Sequence, residues 1–330
     1  MQDFVHLHVH TQYSLLDGQA SVARLVDKAM KNGMKAIAVT DHGNMFGIKE
    51  FTNYVNKKNS GPKGEIKDLK KRIAGIEAGT VECEDKEAEI AACKAKIVEA
   101  ENKLFKPIIG CEMYVARRTM DLKEGQPDQS GYHLIVLAKN EIKLVSHAWT
   151  RGYYMRPRTD RSELERYHEG LIVCSACLGG EVPKRITAGQ FDEAEEAIQW
   201  YKNLFGDDYY LEMQRHKATV PRANHECYPL QVNVNKYLQE YARKYNIKLI
   251  CTNDVHFVDE ENAEGHDRLI CLSTGKDLDD PSRMLYTKQE WMKTREEMNE
   301  LFADVPEALS NTLEILDKVE YYSIDHAPIM

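Results

Sequence analysis

His6-Leu7-His8-Val9-His10-Thr11-Gln12-Tyr13-Ser14-Leu15-Leu16-Asp17-Gly18 sets three histidines at alternate positions and a carboxylate one short turn later. Side chains two apart on a strand share a face. A strand over residues 4–10 would therefore aim His6, His8 and His10 at one place. Imidazoles crowded in this way call for something that binds them, and a metal ion is the usual partner. The plainer alternative is a polar sheet face of hydrogen-bonded histidines.

The same kind of signal recurs down the chain. Ala36-Ile37-Ala38-Val39-Thr40 runs into Asp41-His42-Gly43-Asn44, and Pro107-Ile108-Ile109-Gly110-Cys111 into Glu112. His133 opens the run Leu134 to Ala138. Leu171-Ile172-Val173-Cys174 leads to Ser175-Ala176-Cys177, and Lys248-Leu249-Ile250-Cys251-Thr252 to Asn253-Asp254-Val255-His256. Short apolar runs bounded by turn residues read as buried strands of a largely parallel sheet. Helical patterns between most of them argue for repeated βα units. Metal-type side chains at successive strand ends place a site at the C-terminal mouth of a barrel. Taken singly, Asp41-His42 is an ordinary cap and Glu112 an ordinary surface carboxylate; the recurrence carries the argument. Mixed imidazole and carboxylate donors suit zinc, manganese or iron, whereas an all-oxygen set would suit magnesium or calcium.

The motifs His8-Val9-His10-Thr11, Thr40-Asp41-His42-Gly43, Gly110-Cys111-Glu112, His133-Leu134 and Asn253-Asp254-Val255-His256 resemble those of the PHP (polymerase and histidinol phosphatase) family. Tyr13 to Gly18, Asp41 to Gly47, Ser175 to Glu181, Asp280 to Met284 and Asn311 to Ile315 are similar to the PHP domains that begin bacterial DNA polymerase III alpha subunits. The resemblance spans nearly the whole chain apart from roughly residues 57–105. It implies an α/β fold, a distorted (β/α)7 barrel, with two to three divalent metal ions, zinc or manganese with iron as a third option. The implied ligands are His8, His10, Asp17, His42, Glu112, His133, Cys177, Asp254 and His256. Cys174 stands as a rival to Cys177, and His6 falls outside the set as a supporting residue. His42, His256 and Asp254 are the implied catalytic residues, with His42 and His256 either holding metal or orienting substrate. The segment Leu137 to Leu144 departs from the pattern by being shorter around Asn140–Ile142.

The chain has 330 residues, 44 basic and 53 acidic, for a formal charge of −9. That balance argues against strong nonspecific binding of duplex DNA by the chain itself. Arg151 to Arg161 is a local exception, with four arginines and two tyrosines that could meet phosphates and stack on a base. Arg156 and Arg158 are candidate substrate contacts there, as are Arg215 and His216 at the end of a strand expected over Tyr209–Met213. A solvated loop over packed tyrosines explains the segment equally well. The eight cysteines show no disulfide-like spacing and no signal peptide precedes them, which fits a reduced cytoplasm. No apolar run approaches the ~18 residues of a membrane span, so no membrane partner is expected.

Residues 57–105 change character. Ile66, Leu69, Ile73 and Ile76, then Ile90, Cys93, Ile97, Ala100 and Leu104, form narrow apolar stripes at helical spacing. They predict two antiparallel helices inserted in the barrel, the first ending at Gly75 or Gly79 and the second starting between Glu82 and Asp85. The bland role is self-packing; docking of a partner is the alternative. The expected organisation is a barrel over 1–274 and a helical segment over 275–330, with helices at Thr287–Phe302 and Pro306–Val319. The abrupt stop at Ser323 to Met330, with no cap or polar tail, reads as a cut in a longer chain that leads toward a polymerase palm domain.

Three functions follow. The first, implied by the resemblance, is a metal-dependent phosphoesterase trimming DNA 3′→5′ within a DNA-directed DNA polymerase. Its partners would be a DNA 3′ end, the rest of the polymerase chain and replisome subunits such as a proofreading exonuclease and a sliding clamp. The second is a metal-stabilised structural module that supports the polymerase or docks a separate exonuclease. The third is a small-molecule phosphatase of the histidinol phosphate type.

Overall fold

A computed structural model describes residues 1–139 and 144–324. The seven strands are β1 (Ala36–Val39), β2 (Lys106–Ala116), β3 (Gly131–Ala138), β4 (Arg158–Thr159), β5 (Leu171–Cys174), β6 (Tyr209–Met213) and β7 (Lys248–Cys251). Six of them pair in the order β1-β2-β3-β5-β6-β7, and the short β4 lies against β2. The N-terminal segment closes this sheet. Ala38 N–H donates to the His6 carbonyl and Thr40 N–H to that of Val9, both at 2.9 Å. On its other side Val255 N–H donates to the His8 carbonyl (3.1 Å) and His10 N–H to that of Val255 (2.7 Å). The segment is thus the seventh stave of a distorted barrel.

Of two expectations about this barrel, one holds with an exception and one needs correction. The sheet is largely parallel but not wholly so, because β3 runs antiparallel to both β2 and β5. The connection between β2 and β3 holds only a three-residue 3-10 helix, Gln126–Asp128, and lacks the α-helix that usually carries a parallel crossover. The reversal has a consequence for the site. His133 stands near the start of β3, yet it reaches the same mouth as the ends of its parallel neighbours.

The correction concerns residues 4–10, which form no regular strand, only an isolated bridge between Val9 and Val255. A bend at His8 slips the alternation by one residue. Val5 and Leu7 pack with Ile108, Ile135, Ile172 and Ile250 inside the barrel. Val9 packs with Val39, Met113 and Leu211 in the outer, helix-covered core. A slip of one residue exchanges faces, so His8 and His10 turn into the mouth while His6 turns away and meets the Lys293 carbonyl at 2.8 Å.

The inner faces of β1, β2, β3, β6 and β7 each have an apolar foot and a polar head. Two or four residues toward the mouth from buried Ala38, Ile108, Ile135, Tyr210 and Ile250 stand buried Thr40 and Glu112, half-buried His133, and buried Glu212 and Thr252. The helix Glu307–Lys318 closes the opposite end. Its Ile315 and Leu316 join the interior cluster, and the Leu316 carbonyl accepts from Lys106 Nζ (2.9 Å) at the start of β2. Ahead of it only Arg295–Leu301 is helical, not Thr287–Phe302. Thr294 and Glu297 form a capping box that fixes this start, and residues 290–292 instead pair with the chain after β7.

The helices Ser60–Glu77 and Lys86–Glu101 pack on each other through Ile66, Leu69, Ile73, Ile97, Ala100 and Leu104. Gly79, at φ +72°, follows the first, and Asp85 caps the second by accepting from Ala88 N–H. Among the described residues no helix is long and apolar enough to cross a membrane. The short loop expected around Asn140–Ile142 lies outside the described residues.

Candidate metal centre

The nine residues implied as ligands converge at the barrel mouth, delivered by seven separate stretches of chain. Three sets of donor atoms lie within 4.8 Å of one another: His8, His10 and Asp254; His10, His42 and His256; and Glu112, His133 and Cys177. Asp17 joins them through His42 Nε2 at 2.8 Å and His256 Nε2 at 3.7 Å. Glu112 lies at the centre, with one oxygen 2.6 Å from His133 Nδ1 and the other 2.5 Å from His42 Nδ1. Of the two cysteines, Cys177 Sγ stands beside Glu112 and His133 (3.8 and 3.6 Å), whereas Cys174 is buried in the apolar interior.

The buried atoms of this cluster test whether it suits a cation. His8 Nε2, His10 Nε2, His42 Nδ1, His256 Nε2, Glu112 Oε2 and Asp254 Oδ1 are all buried and make no well-aligned hydrogen bond, facing one another only as close charge pairs such as His42 Nδ1–Glu112 Oε2 (2.5 Å) and His8 Nε2–Asp254 Oδ1 (3.0 Å). Buried polar atoms are normally satisfied, and an unpaired one costs about 1–3 kcal/mol. Six such atoms aimed into one space, nitrogen and carboxylate oxygen together, are the donor set that a divalent transition metal takes. The residues present fit such ions.

The supporting bonds fix which nitrogen is offered. His8 Nδ1 meets Glu212 Oε1 at 2.7 Å, and Thr252 and Gln214 donate to the same oxygen. Ser14 Oγ donates to Asp41 (2.7 Å) and so accepts from His10 Nδ1 (2.9 Å). His256 Nδ1 donates to the Asp254 carbonyl at 2.7 Å. Each bond turns Nε2 toward the cavity, where its lone pair would serve a metal ion that displaces any proton held there. Asp254 itself holds φ +44°, a left-handed conformation that costs a non-glycine residue about 1 kcal/mol or more. Gly18 passes so close to Thr11 that a Cβ would lie 2.0 Å from its carbonyl oxygen, which ties the Asp17 turn to the first stave.

Charge in the cluster is balanced internally. Burial opposes ionisation of Glu112, Asp254 and Asp17, but His133 and His42, His8, and His256 respectively hold their carboxyls well below the usual range. Burial also opposes the imidazolium form of His8, His42 and His256. Asp254, Glu112 and Asp17 outweigh it, lifting His8 and His42 well above the ordinary value and His256 to about 9. His10, buried and next to His42 and His256, falls to about 3 and stays neutral. Burial, with Glu112 and Asp254, pushes the Cys177 thiol up.

The candidate substrate contacts separate. Arg156 lines the mouth together with Asp17, His42 and His133. Arg158 is fully buried and donates to the carbonyls of Gly152, Met120 and Leu122, so it holds the loop and cannot meet a phosphate. Arg215 pairs with Asp304 over the Phe302 ring, outside the mouth. His216 is buried against Gln231 and the Asn253 carbonyl. Glu212, Ser14 and Asp41 were not singled out as functional residues from the sequence. Glu212 shares its inward parity with Tyr210, a signal that alternation along β6 does contain.

The family profile of the PHP domain matches residues 6–216, from the first stave through the strand that carries Glu212. The chain belongs to the PHP-domain family. Among curated relatives of this PHP domain, the DNA polymerase III subunit alpha of Borreliella burgdorferi is 39% identical over 97% of the chain and 24% of its own length. The subunit of the same name from Treponema pallidum is 36% identical over 96% of the chain and 23% of its own length. The chain thus spans about a quarter of the length of the curated relatives it matches. A solved structure from Bifidobacterium adolescentis, provisionally assigned as a metal-dependent phosphoesterase, covers 77% of this chain and 88% of its own at 14% identity and a TM-score of 0.36. That overlap is slight, and the barrel rests on the hydrogen-bonded closure of its staves.

Proposed function

We propose that this PHP domain is a metal-dependent phosphoesterase that removes nucleotides from a DNA 3′ end, and that it is the PHP module of a DNA polymerase III alpha-type subunit. The convergence of six buried nitrogen and carboxylate-oxygen donors without aligned hydrogen bonds at the barrel mouth carries the first part; the curated relatives support the second. His8, His10 and Asp254 would hold one ion, Glu112, His133 and Cys177 another, and His42, His256 and Asp17 a third, with zinc or manganese favoured by the mixed donors and iron as the alternative. Bound ions of this kind lower the pKa of water and neutralise phosphate charge.

The protein's own groups do the rest. Glu212, Ser14 and the Asp254 carbonyl hold the Nε2 atoms of His8, His10 and His256 toward the cavity. His42, at the open side against Asp17, would orient the substrate where it does not hold an ion. Arg156 offers a guanidinium to a phosphate entering the mouth. Polymerisation is assigned to no residue of this chain, and the segment 275–330 would join the barrel to the polymerase domains of such a subunit, where exonuclease and clamp partners would also bind.

The test is 3′→5′ digestion of an end-labelled single-stranded oligonucleotide with manganese or zinc, comparing the chain with Asp254→Asn. Trimming that vanishes in the variant is expected. Bound metal without trimming by either protein, and no turnover of a small phosphomonoester, would favour a structural role. One observation supports that second reading: the cluster pins the first stave to the chain after β7, so it also closes the barrel.

A further inference from the structure

Phe46, Trp149 and Tyr153 form an aromatic shelf on the rim of the cavity that contains Asp17, His42 and His133. The ring centroids lie 5.6 Å apart for Phe46 and Trp149, and 5.5 Å for Trp149 and Tyr153, the latter pair stacked at 25°. The three residues are 56%, 40% and 48% exposed. The shelf is anchored to the metal centre: Trp149 Nε1 donates at 2.8 Å to the carbonyl of Gly43, the residue after His42. Beside it the chain turns at Met155 (φ +61°) and lays Arg156 over the Tyr114 ring, 5.7 Å from its centroid. Among the described residues no carboxylate pairs with that guanidinium. The cavity between shelf and ligands has a volume of about 530 Å³.

Rigid, half-exposed rings next to a free cation and a metal cluster are what an unpaired nucleotide needs: a surface for its base, a positive group for its phosphate, and a reaction centre within one residue of both. Stacking accepts any base, and a base already paired and stacked in a duplex is not free to use it.

We propose that Phe46, Trp149 and Tyr153 are the base subsite of this centre and select an unpaired 3′-terminal nucleotide of single-stranded nucleic acid. The subsite rests on the phosphoesterase reading above but is measured separately from it, by binding. The probe is a fluorescein-labelled single-stranded oligothymidylate ending in phosphorothioate linkages, which resist hydrolysis, compared by anisotropy with the same oligonucleotide carrying abasic sites at its 3′ end.

The normal oligonucleotide should bind the unaltered chain roughly ten- to hundredfold more tightly than the abasic one, the range set by stacking on one or two rings. Phe46→Ala and Tyr153→Ala should each lose most of that difference and leave affinity for the abasic oligonucleotide unchanged. Val232→Ala, an exposed aliphatic on the helix Cys227–Tyr245, should lose none of it. Equal affinity of the unaltered chain for both oligonucleotides overturns the subsite, with no variant required. So does an equal weakening of both by the variants, the result expected if the rings serve folding or cover another part of a longer chain. Base-dependent binding without cleavage of an unmodified strand in either metal would keep the subsite and overturn the hydrolytic reading.

Discussion

At the scale of single residues, the groups that aim the candidate donors come from distant parts of the chain. A histidine or carboxylate after an apolar run is visible in a string of letters, whereas Glu212 reaches His8 across 204 positions of chain and only the closed barrel brings them together. The slip at His8 was equally invisible, because regular alternation gives no warning of a one-residue bend. Glu212→Gln should retain the shape of the site but weaken its hold on His8 Nδ1–H. Metal affinity, measured by competition with a chromogenic chelator, should fall by roughly ten- to hundredfold. Lys293 allows a second prediction. Burial drives its ammonium down to about 7, while its Nζ donates to the Gln289 carbonyl and sits over the Trp291 ring. A lysine whose folded pKa is depressed binds fewer protons folded than unfolded, so stability rises with pH between about 7 and the unfolded value, and its cost is fully present below 7. Lys293→Met should therefore raise the melting temperature, by more at pH 6 than at pH 9. A gain of the same size at both pH values would contradict the assignment.

At the scale of elements, apolar periodicity located six of the strands and the paired helices of 60–101, because each buries one face against a partner close by. It did not give strand direction, which depends on how the chain crosses between β2 and β3, nor the two-residue β4, which is too short to carry a period. Residues 287–293 read as helical although they run extended along the chain after β7; tertiary hydrogen bonds outweighed a weak local preference there. The stripes of the paired helices face each other, with Arg72 and Glu89 bridging them at the surface. Ile97→Asp would place a charge between Ile66 and Ala100, where it has no partner. Burial of an unpaired charge is strongly destabilising, so amide protection over residues 60–101 should be lost in hydrogen exchange. Protection in β5 to β7 and the metal content should stay as they were. Loss of protection in the barrel as well would mean that the hairpin and barrel fold as one unit.

At the scale of the molecule, the barrel is closed twice, by unlike means. At the mouth, carboxylates and imidazoles from the first stave, the strand ends and the chain after β7 meet in one cluster. At the far end, Ile315 and Leu316 fill the interior from a helix more than 300 residues along the chain. An apolar helical stripe near residue 310 is legible in the sequence, but which end of which sheet it covers is not, since nothing local encodes that partner. The two closures should contribute independently. Ions that bind only the folded state stabilise it by about 4 kcal/mol when present at a thousandfold excess over their dissociation constant, and truncating a buried isoleucine costs about 2–5 kcal/mol. Sites far apart with no shared partners add. A chelator should lower the melting temperature by several degrees, Ile315→Ala should lower it by a similar amount, and the two losses should sum in the chelated variant. If chelation instead removed nothing further from Ile315→Ala, the plug would be what holds the staves in place for metal, and the two ends would be one cooperative device.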